Sequence, residues 1–202
     1  MLTGVGGRAT YHPRMNGEAT RDAAARAVHR RFRWQGGHAD VWRLFDEPAT
    51  FAAIIAGLAE PWRDARITKV CGIEARGFVL AAPVAIDLKV GFVAIRKPDT
   101  LFPGPKVALD APPDYRGNAW SLSIQRDSLS ADDRVLIVDD WIERGSQVET
   151  ATRLIRACGA EPVGIAVIVD QIDAARRGAL PPIAAIVRHS DLPNDDPAPV
   201  TP

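Results

Sequence analysis

Val135–Gln147, which reads V-L-I-V-D-D-W-I-E-R-G-S-Q, decides the fold of this chain of 202 residues. Four apolar residues run straight into two adjacent aspartates, Asp139 and Asp140. A short segment with one glycine follows, and then an amphipathic stretch. An apolar run of that length reads as a strand buried on both faces, the kind found in a parallel sheet covered by helices. In such sheets the carboxyl ends of the strands border the ligand crevice, and a glycine turn entering a helix favours an anion. The acid pair can accept hydrogen bonds from two vicinal hydroxyls or share a magnesium ion, so a phosphate-bearing sugar suits the segment. The plainer alternative is a helix cap beside one solvated acid.

Outward from this segment the pattern strand, loop, helix repeats. Lys69–Ile73 reads as a buried strand. Arg76–Leu88 reads as a helix with Phe78, Val79, Ala82, Ala85 and Ile86 inward. Val90–Ile95 is the next strand. Pro98–Pro113 holds five prolines and reads as a long lid loop. Trp120–Gln125 alternates like a strand with one exposed face. Val135–Val138 is followed by a helical stripe of Val148, Ala151, Leu154, Ile155 and Cys158. Val163–Val169 and Ile183–Val187 complete the strands. Upstream, Glu18–Phe32 reads as a helix, and Asp46-Glu47-Pro48 opens another, with Phe51, Ile54, Ile55, Leu58 and Trp62 at helical spacing. The expected fold is α/β: a doubly wound, mostly parallel sheet with an N-terminal hood and a flexible lid loop. Residues 18–190 are expected to form a single domain. Residues 1–17 lack periodicity and read as disordered or as an over-long start; 191–202 read as a disordered tail.

Composition narrows the function. Hydrophobic residues make up 47%, which excludes a disordered chain, and 25 basic residues balance 25 acidic ones. A general nucleic-acid binder would show a basic excess, so no nucleic-acid partner is expected. Arg21, Arg26, Arg30, Arg31 and Arg33 cluster, and read as a solvated helix face or an oligomer contact. Cys71 and Cys158 sit in apolar stretches without metal-ligand spacing, which fits a reducing compartment. No apolar run approaches the ~18 residues of a membrane span. A cytoplasmic protein without membrane contact is the expectation.

Two further segments carry chemistry. Gly72-Ile73-Glu74-Ala75-Arg76-Gly77-Phe78 places two glycines around a charged pair at a strand-to-helix turn, where amides and an Arg suit a pyrophosphate. A turn with a surface ion pair is the alternative. Arg96-Lys97-Pro98 follows a strand and brings two cations to the sheet edge that carries the acids; two solvated cations are the alternative there. No G-x-G-x-x-G follows the first strand, which argues against a plain dinucleotide binder.

In this order and spacing, the three segments resemble the type I phosphoribosyltransferases, most closely the adenine phosphoribosyltransferase branch. The likeness is densest in I-T-K-V-C-G-I-E-A-R-G-F (Ile67–Phe78) and A-P-V-A-I-D-L-K-V-G-F-V-A-I-R-K-P (Ala82–Pro98), and extends over roughly Gly36–Gln171. It implies transfer of ribose 5-phosphate from phosphoribosyl pyrophosphate to a nucleobase, with adenine the default, giving AMP and pyrophosphate in purine salvage. By the same resemblance Asp139 and Asp140 hold the ribose hydroxyls, and Glu143, Arg144, Gly145, Ser146 and Gln147 cradle the 5-phosphate. Glu74, Ala75, Arg76, Arg96 and Lys97 face the pyrophosphate, with Arg76 also catalytic. Mg2+ bridges donor oxygens beside the acids, and a homodimer is expected.

The chain departs from the family at three places. The phosphate loop A-T-G-G-T is here Glu143–Gln147, and Arg144 and Ser146 stand as replacement donors. The lid motif E-Y-G is nearest to Asp114-Tyr115-Arg116-Gly117, which makes Asp114 the expected proton-transfer residue. The adenine clamp F-R-D-V is here His38-Ala39-Asp40-Val41. Trp141 replaces a smaller aliphatic, so His38, Ala39 and Trp141 are the expected base contacts. Two other readings stay open: an enzyme for a different base, and a phosphoribosyl pyrophosphate-binding regulator with little turnover.

Overall fold

The apolar run at Val135 forms the middle strand of a five-stranded parallel sheet. In the computed structural model, residues 16–98, 101–111 and 120–194 are described. The chain begins with α1 (Gly17–Arg31), the short hairpin β1 (Trp34–Gln35) and β2 (His38–Ala39), and α2 (Pro48–Ala59). It continues through β3 (Lys69–Ile73), α3 (Arg76–Leu88), β4 (Gly91–Ile95), β5 (Lys106–Ala111) and β6 (Trp120–Gln125). It ends with β7 (Arg134–Ile142), α4 (Ser146–Ala157), β8 (Glu161–Asp170), α5 (Ala174–Arg177) and β9 (Ile183–Arg188). The large sheet has the order β4-β3-β7-β8-β9, and every pairing in it is parallel. The winding direction reverses between β3 and β7. Ligands bind at such a reversal, outside the carboxyl ends of the two strands.

Alternate residues of β7 serve two cores, as the strand period requires. Leu136 and Val138 pack with Ile54 and Leu58 of α2 and Leu80 and Val84 of α3. Val135 and Ile137 pack with Leu122 and Ile124 of β6 and Leu154 and Ile155 of α4. Helices thus cover one face, while α4 and the antiparallel pair β5–β6 cover the other.

The hood is built by local rules. Asn16 caps α1, its Oδ1 accepting from Ala19 N–H at 2.7 Å. Glu47 caps α2 with both carboxylate oxygens, accepting from Ala49 N–H at 3.1 Å and Thr50 N–H at 2.7 Å. Hydrogen bonds from Thr50 hold its carboxyl below the ordinary value. Pro48, without an N–H, occupies the first turn, where none is needed. α1 lies on α2 through Ala24, Ala27 and Val28, which are buried.

Several expectations need correction. β7 runs four residues past Val138, so Asp139 and Asp140 lie within the strand rather than beyond it. α3 turns a different face inward. Gly77, Leu80, Ala81, Val84 and Ala85 are buried, whereas Val79 is 36% and Ile86 77% exposed. Small residues win that face because α3 begins almost on the backbone of β3: a Cβ on Gly72 would lie 2.5 Å from Gly77 O. The proline-rich stretch contains β5, which pairs with β6 over six residue pairs. Asn16 and Gly17 start α1 instead of lying outside the fold. At the other end Leu192 is buried, and Trp34 Nε1 donates to Pro193 O at 2.7 Å. Residues 1–15, 99–100, 112–119 (with Asp114) and 195–202 lie outside the described residues.

Candidate active site

The turn after β3 and the acid pair of β7 meet at the reversal point. Arg76 opens α3, and its Nε lies 3.1 Å from Asp140 Oδ2. The contact is ionic, without a directed hydrogen bond, so this buried oxygen keeps an unfilled acceptor position. Asp139 and Asp140 are only 8% and 4% exposed. Asp139 Oδ1 accepts from the Asp140 N–H at 2.9 Å. Burial, then the neighbouring charge of Asp140, push the Asp139 carboxyl well above its ordinary value, with Arg76 opposing. Gly77 lets α3 approach this closely, since a Cβ there would sit 3.0 Å from Val138 O and 3.2 Å from Asp139 Oδ1.

Glu74 organises the cations. Its carboxylate accepts from Arg96 Nε at 3.2 Å and Nη2 at 3.0 Å, a two-pronged pair, and from the Lys97 N–H at 3.0 Å. The Arg96 bond lowers the Glu74 pKa, burial opposes it, and the Lys97 amide adds to the lowering. Arg96 Nη1 donates to Leu101 O at 3.1 Å. Lys97 is thereby held at the rim while Arg96 braces the loop.

A cavity of about 1250 Å³ opens over these groups. Its walls include Glu74–Arg76, Lys97, Ala39 and the whole run Asp139–Glu149. Most of the residues singled out in the sequence are therefore brought together. His38 and Arg96 are not part of the wall; Gly37 and Ala39 flank the space where His38 was expected. Gly145 precedes α4 with φ +78°, and a Cβ there would meet Ile172 Cδ1 at 2.8 Å. No side chain caps α4, which leaves its first amides at the cavity wall without a side-chain acceptor.

The far end of the cavity is aromatic. Trp34, Trp141 and His189 form a triangle, with ring centroids 6.1 Å (Trp34–Trp141), 5.7 Å (Trp141–His189) and 6.0 Å (Trp34–His189) apart. Phe32 backs the two indoles. Trp141 Nε1 donates to Gln171 Oε1 at 2.8 Å. Sequence reasoning found Trp141 but missed Trp34, Gln171, Arg176 and His189, all of which line the cavity. They lie in separate segments with no common spacing, so only the fold assembles them. Among the described residues no group of three or more His, Cys, Asp or Glu side chains could hold a metal by itself.

The chain that builds this arrangement matches known proteins in sequence and in fold. The family model described as phosphoribosyl transferase domain matches residues 41–193, and the chain belongs to that family. Curated relatives include the adenine phosphoribosyltransferase of Serratia proteamaculans, 42% identical over 134 residues, which are 66% of this chain and 66% of that protein. That of Edwardsiella ictaluri is 44% identical over 131 residues, 65% of this chain and 70% of its own. Among solved structures, the Giardia lamblia enzyme complexed with 9-deazaadenine superposes with a TM-score of 0.73 at 28% identity, covering 83% of this chain and 98% of that one. The adenine phosphoribosyltransferase of Rhodothermus marinus gives 0.72 at 27%, covering 83% and 99%.

Proposed function

We propose that this protein transfers ribose 5-phosphate from phosphoribosyl pyrophosphate to a purine base, adenine foremost, releasing AMP and pyrophosphate. The observation that carries the reading is the junction of the Glu74–Arg76 turn with the buried acid pair, on a sheet of this family. The acids accept from the two ribose hydroxyls, and the acceptor position left open on Asp140 Oδ2 suits one of them. The α4 amides, with Arg144 and Ser146, receive the 5-phosphate. Arg76 and Lys97 face the leaving pyrophosphate.

The chemistry follows from this placement. Breaking the C1–O bond beside a ring oxygen gives an oxocarbenium-like state, as in glycoside cleavage. Negative charge grows on the departing pyrophosphate. Cations already fixed at the rim, with Lys97 placed through Glu74, stabilise that charge more in the transition state than in the ground state. Trp141 offers a face to the incoming base. Asp114, outside the described residues, is the proposed acceptor of the base's proton.

Mg2+ belongs to the same proposal. Two adjacent carboxylates with no third His, Cys, Asp or Glu grouped with them among the described residues suit an ion that keeps several waters and shares substrate phosphates, rather than a caged one. When bound, it neutralises charge on the diphosphate. Asp139 and Asp140 would hold it indirectly, through donor oxygens.

A homodimer and a cytoplasmic location complete the reading, with residues 18–190 acting as one domain. Val79 and Ile86, on one side of α3, and Phe92 of β4 are exposed apolar side chains that a second copy would cover. Cys71 and Cys158 are free thiols, as expected in a reducing compartment. Among the described residues no helix is long and apolar enough to cross a membrane.

The altered loop Glu143–Gln147 favours a second reading, a phosphoribosyl pyrophosphate-binding regulator with little turnover. Pyrophosphate release, measured with donor, Mg2+ and each nucleobase in turn, separates the two. Release with adenine supports transfer, and release with another base only moves the acceptor. Calorimetric binding of the donor without release supports the regulator.

A further inference from the structure

The loop Glu143–Gln147 carries no threonine hydroxyl, and two acids stand in the cavity wall, Glu143 in the loop and Glu149 in the first turn of α4. A phosphate dianion entering there needs compensating donors. One comes from an element the family motif does not include, the connection between β8 and β9. Arg176 lines the cavity, and its Nη1 donates to Arg144 O at 3.0 Å, in the middle of the loop.

The position of Arg176 is set by packing. Ile172 and Leu180 press on the loop where Gly145 has no side chain; a Cβ there would lie 2.8 Å and 3.5 Å from their Cδ1 atoms. Asp170 is buried, accepts from the Ile172 N–H at 3.1 Å, and pairs with Arg177. Asp173 then caps the Arg176 N–H at 2.8 Å. The connection is therefore anchored on both sides of Arg176 and lies flush against the loop. A guanidinium has five donors, and one of them holds the Arg144 carbonyl. On its exposed side the guanidinium pairs with the Asp173 carboxylate, 3.6 Å from Nε.

We propose that Arg176 is a binding residue for the 5-phosphate of the donor, supplied from the β8–β9 connection to offset the hydroxyls lost from the loop. This rests on the placement of the 5-phosphate at Glu143–Gln147. The ligand class is a phosphomonoester on a pentose.

Calorimetry on the full chain with D-ribose 5-phosphate, and separately with inorganic pyrophosphate, tests it. Arg176→Gln keeps an N–H donor for the Arg144 carbonyl but removes the charge, while Arg176→Lys keeps the charge. The expected result is ribose 5-phosphate affinity about tenfold weaker in Arg176→Gln, nearer wild type in Arg176→Lys, and pyrophosphate affinity unchanged in both. Unchanged ribose 5-phosphate affinity in Arg176→Gln overturns the role of Arg176. Equal loss for both probes overturns it too, because the damage is then not local to the phosphomonoester. Failure of the wild type to bind ribose 5-phosphate, with pyrophosphate still bound, overturns the phosphate-loop placement itself.

Discussion

Arg76 and Asp140 stand 3.1 Å apart, one opening α3 and the other closing the unbroken buried run Val135–Asp140 of β7. This pair ties the proposed pyrophosphate side of the cavity to its proposed ribose side. Removing either charge should disable both. Asp140→Asn is expected to weaken phosphoribosyl pyrophosphate binding about tenfold, since a charged acceptor becomes a neutral one. Arg76→Ala should lower kcat/KM about 100-fold, in the range of a lost transition-state donor. Calorimetry and steady-state rates check the two, and unchanged donor affinity in Asp140→Asn contradicts its assigned contact.

Asp139 is expected to make folding stability depend on pH. Its folded-state pKa is raised by burial and then by Asp140, so the native state holds the proton more tightly than the unfolded chain. Stability therefore falls as pH rises from the ordinary carboxylate value of 3.8 through the raised one, and the full cost is present above it. Asp139→Asn keeps an acceptor for the Asp140 N–H and removes the charge. Thermal unfolding at pH 7 should show a gain of about 1 kcal/mol, roughly 2–4 °C in Tm, that fades towards pH 4. A pH-independent difference would contradict the assignment.

Gly72 permits the close seat of α3. With Gly77 O only 2.5 Å and Ala81 Cβ 2.7 Å from the place of a Cβ, Gly72→Ala must push backbone aside. Denaturant midpoints should report a loss of about 2–3 kcal/mol. An alanine tolerated within about 0.5 kcal/mol would mean that α3 shifts freely, and with it Arg76.

Glu74 is expected to act through Arg96 and Lys97. Glu74→Gln removes a two-pronged ion pair whose side chains are 19% and 25% exposed. Product inhibition by pyrophosphate should weaken about fivefold, with AMP inhibition little changed.

Trp141 is expected to carry base affinity. Trp141→Ala should raise the KM for the base about tenfold, the usual worth of one aromatic–base stack, and leave the KM for the donor near wild type. Equal changes in both KM values would place the indole elsewhere.

The sequence made the parallel sheet legible because Val135–Val138 and Val163–Val169 are apolar on both faces, a pattern that few other folds require. It made the proposed donor side legible because the turn at Glu74–Arg76 directly follows β3 and the acids Asp139–Asp140 directly follow the apolar run Val135–Val138, although β7 itself continues through them. It misled on α3, where hydrophobicity pointed to Val79 and Ile86 but the close approach to β3 selects small residues such as Gly77 and Ala81. It hid β5, whose alternation in Lys106–Ala111 sits among prolines and is satisfied only by pairing with β6. The aromatic end and Arg176 were out of reach because Trp34, Trp141, Gln171, Arg176 and His189 meet only once β7, β8 and β9 lie side by side.

The most direct test is chromatographic detection of AMP formed from adenine, phosphoribosyl pyrophosphate and Mg2+, by wild type and by Asp140→Asn. The account predicts AMP and pyrophosphate in equal amounts from the wild type, and far less of both from the variant at subsaturating donor. Donor bound by the wild type without any AMP, or full activity in Asp140→Asn, would contradict it.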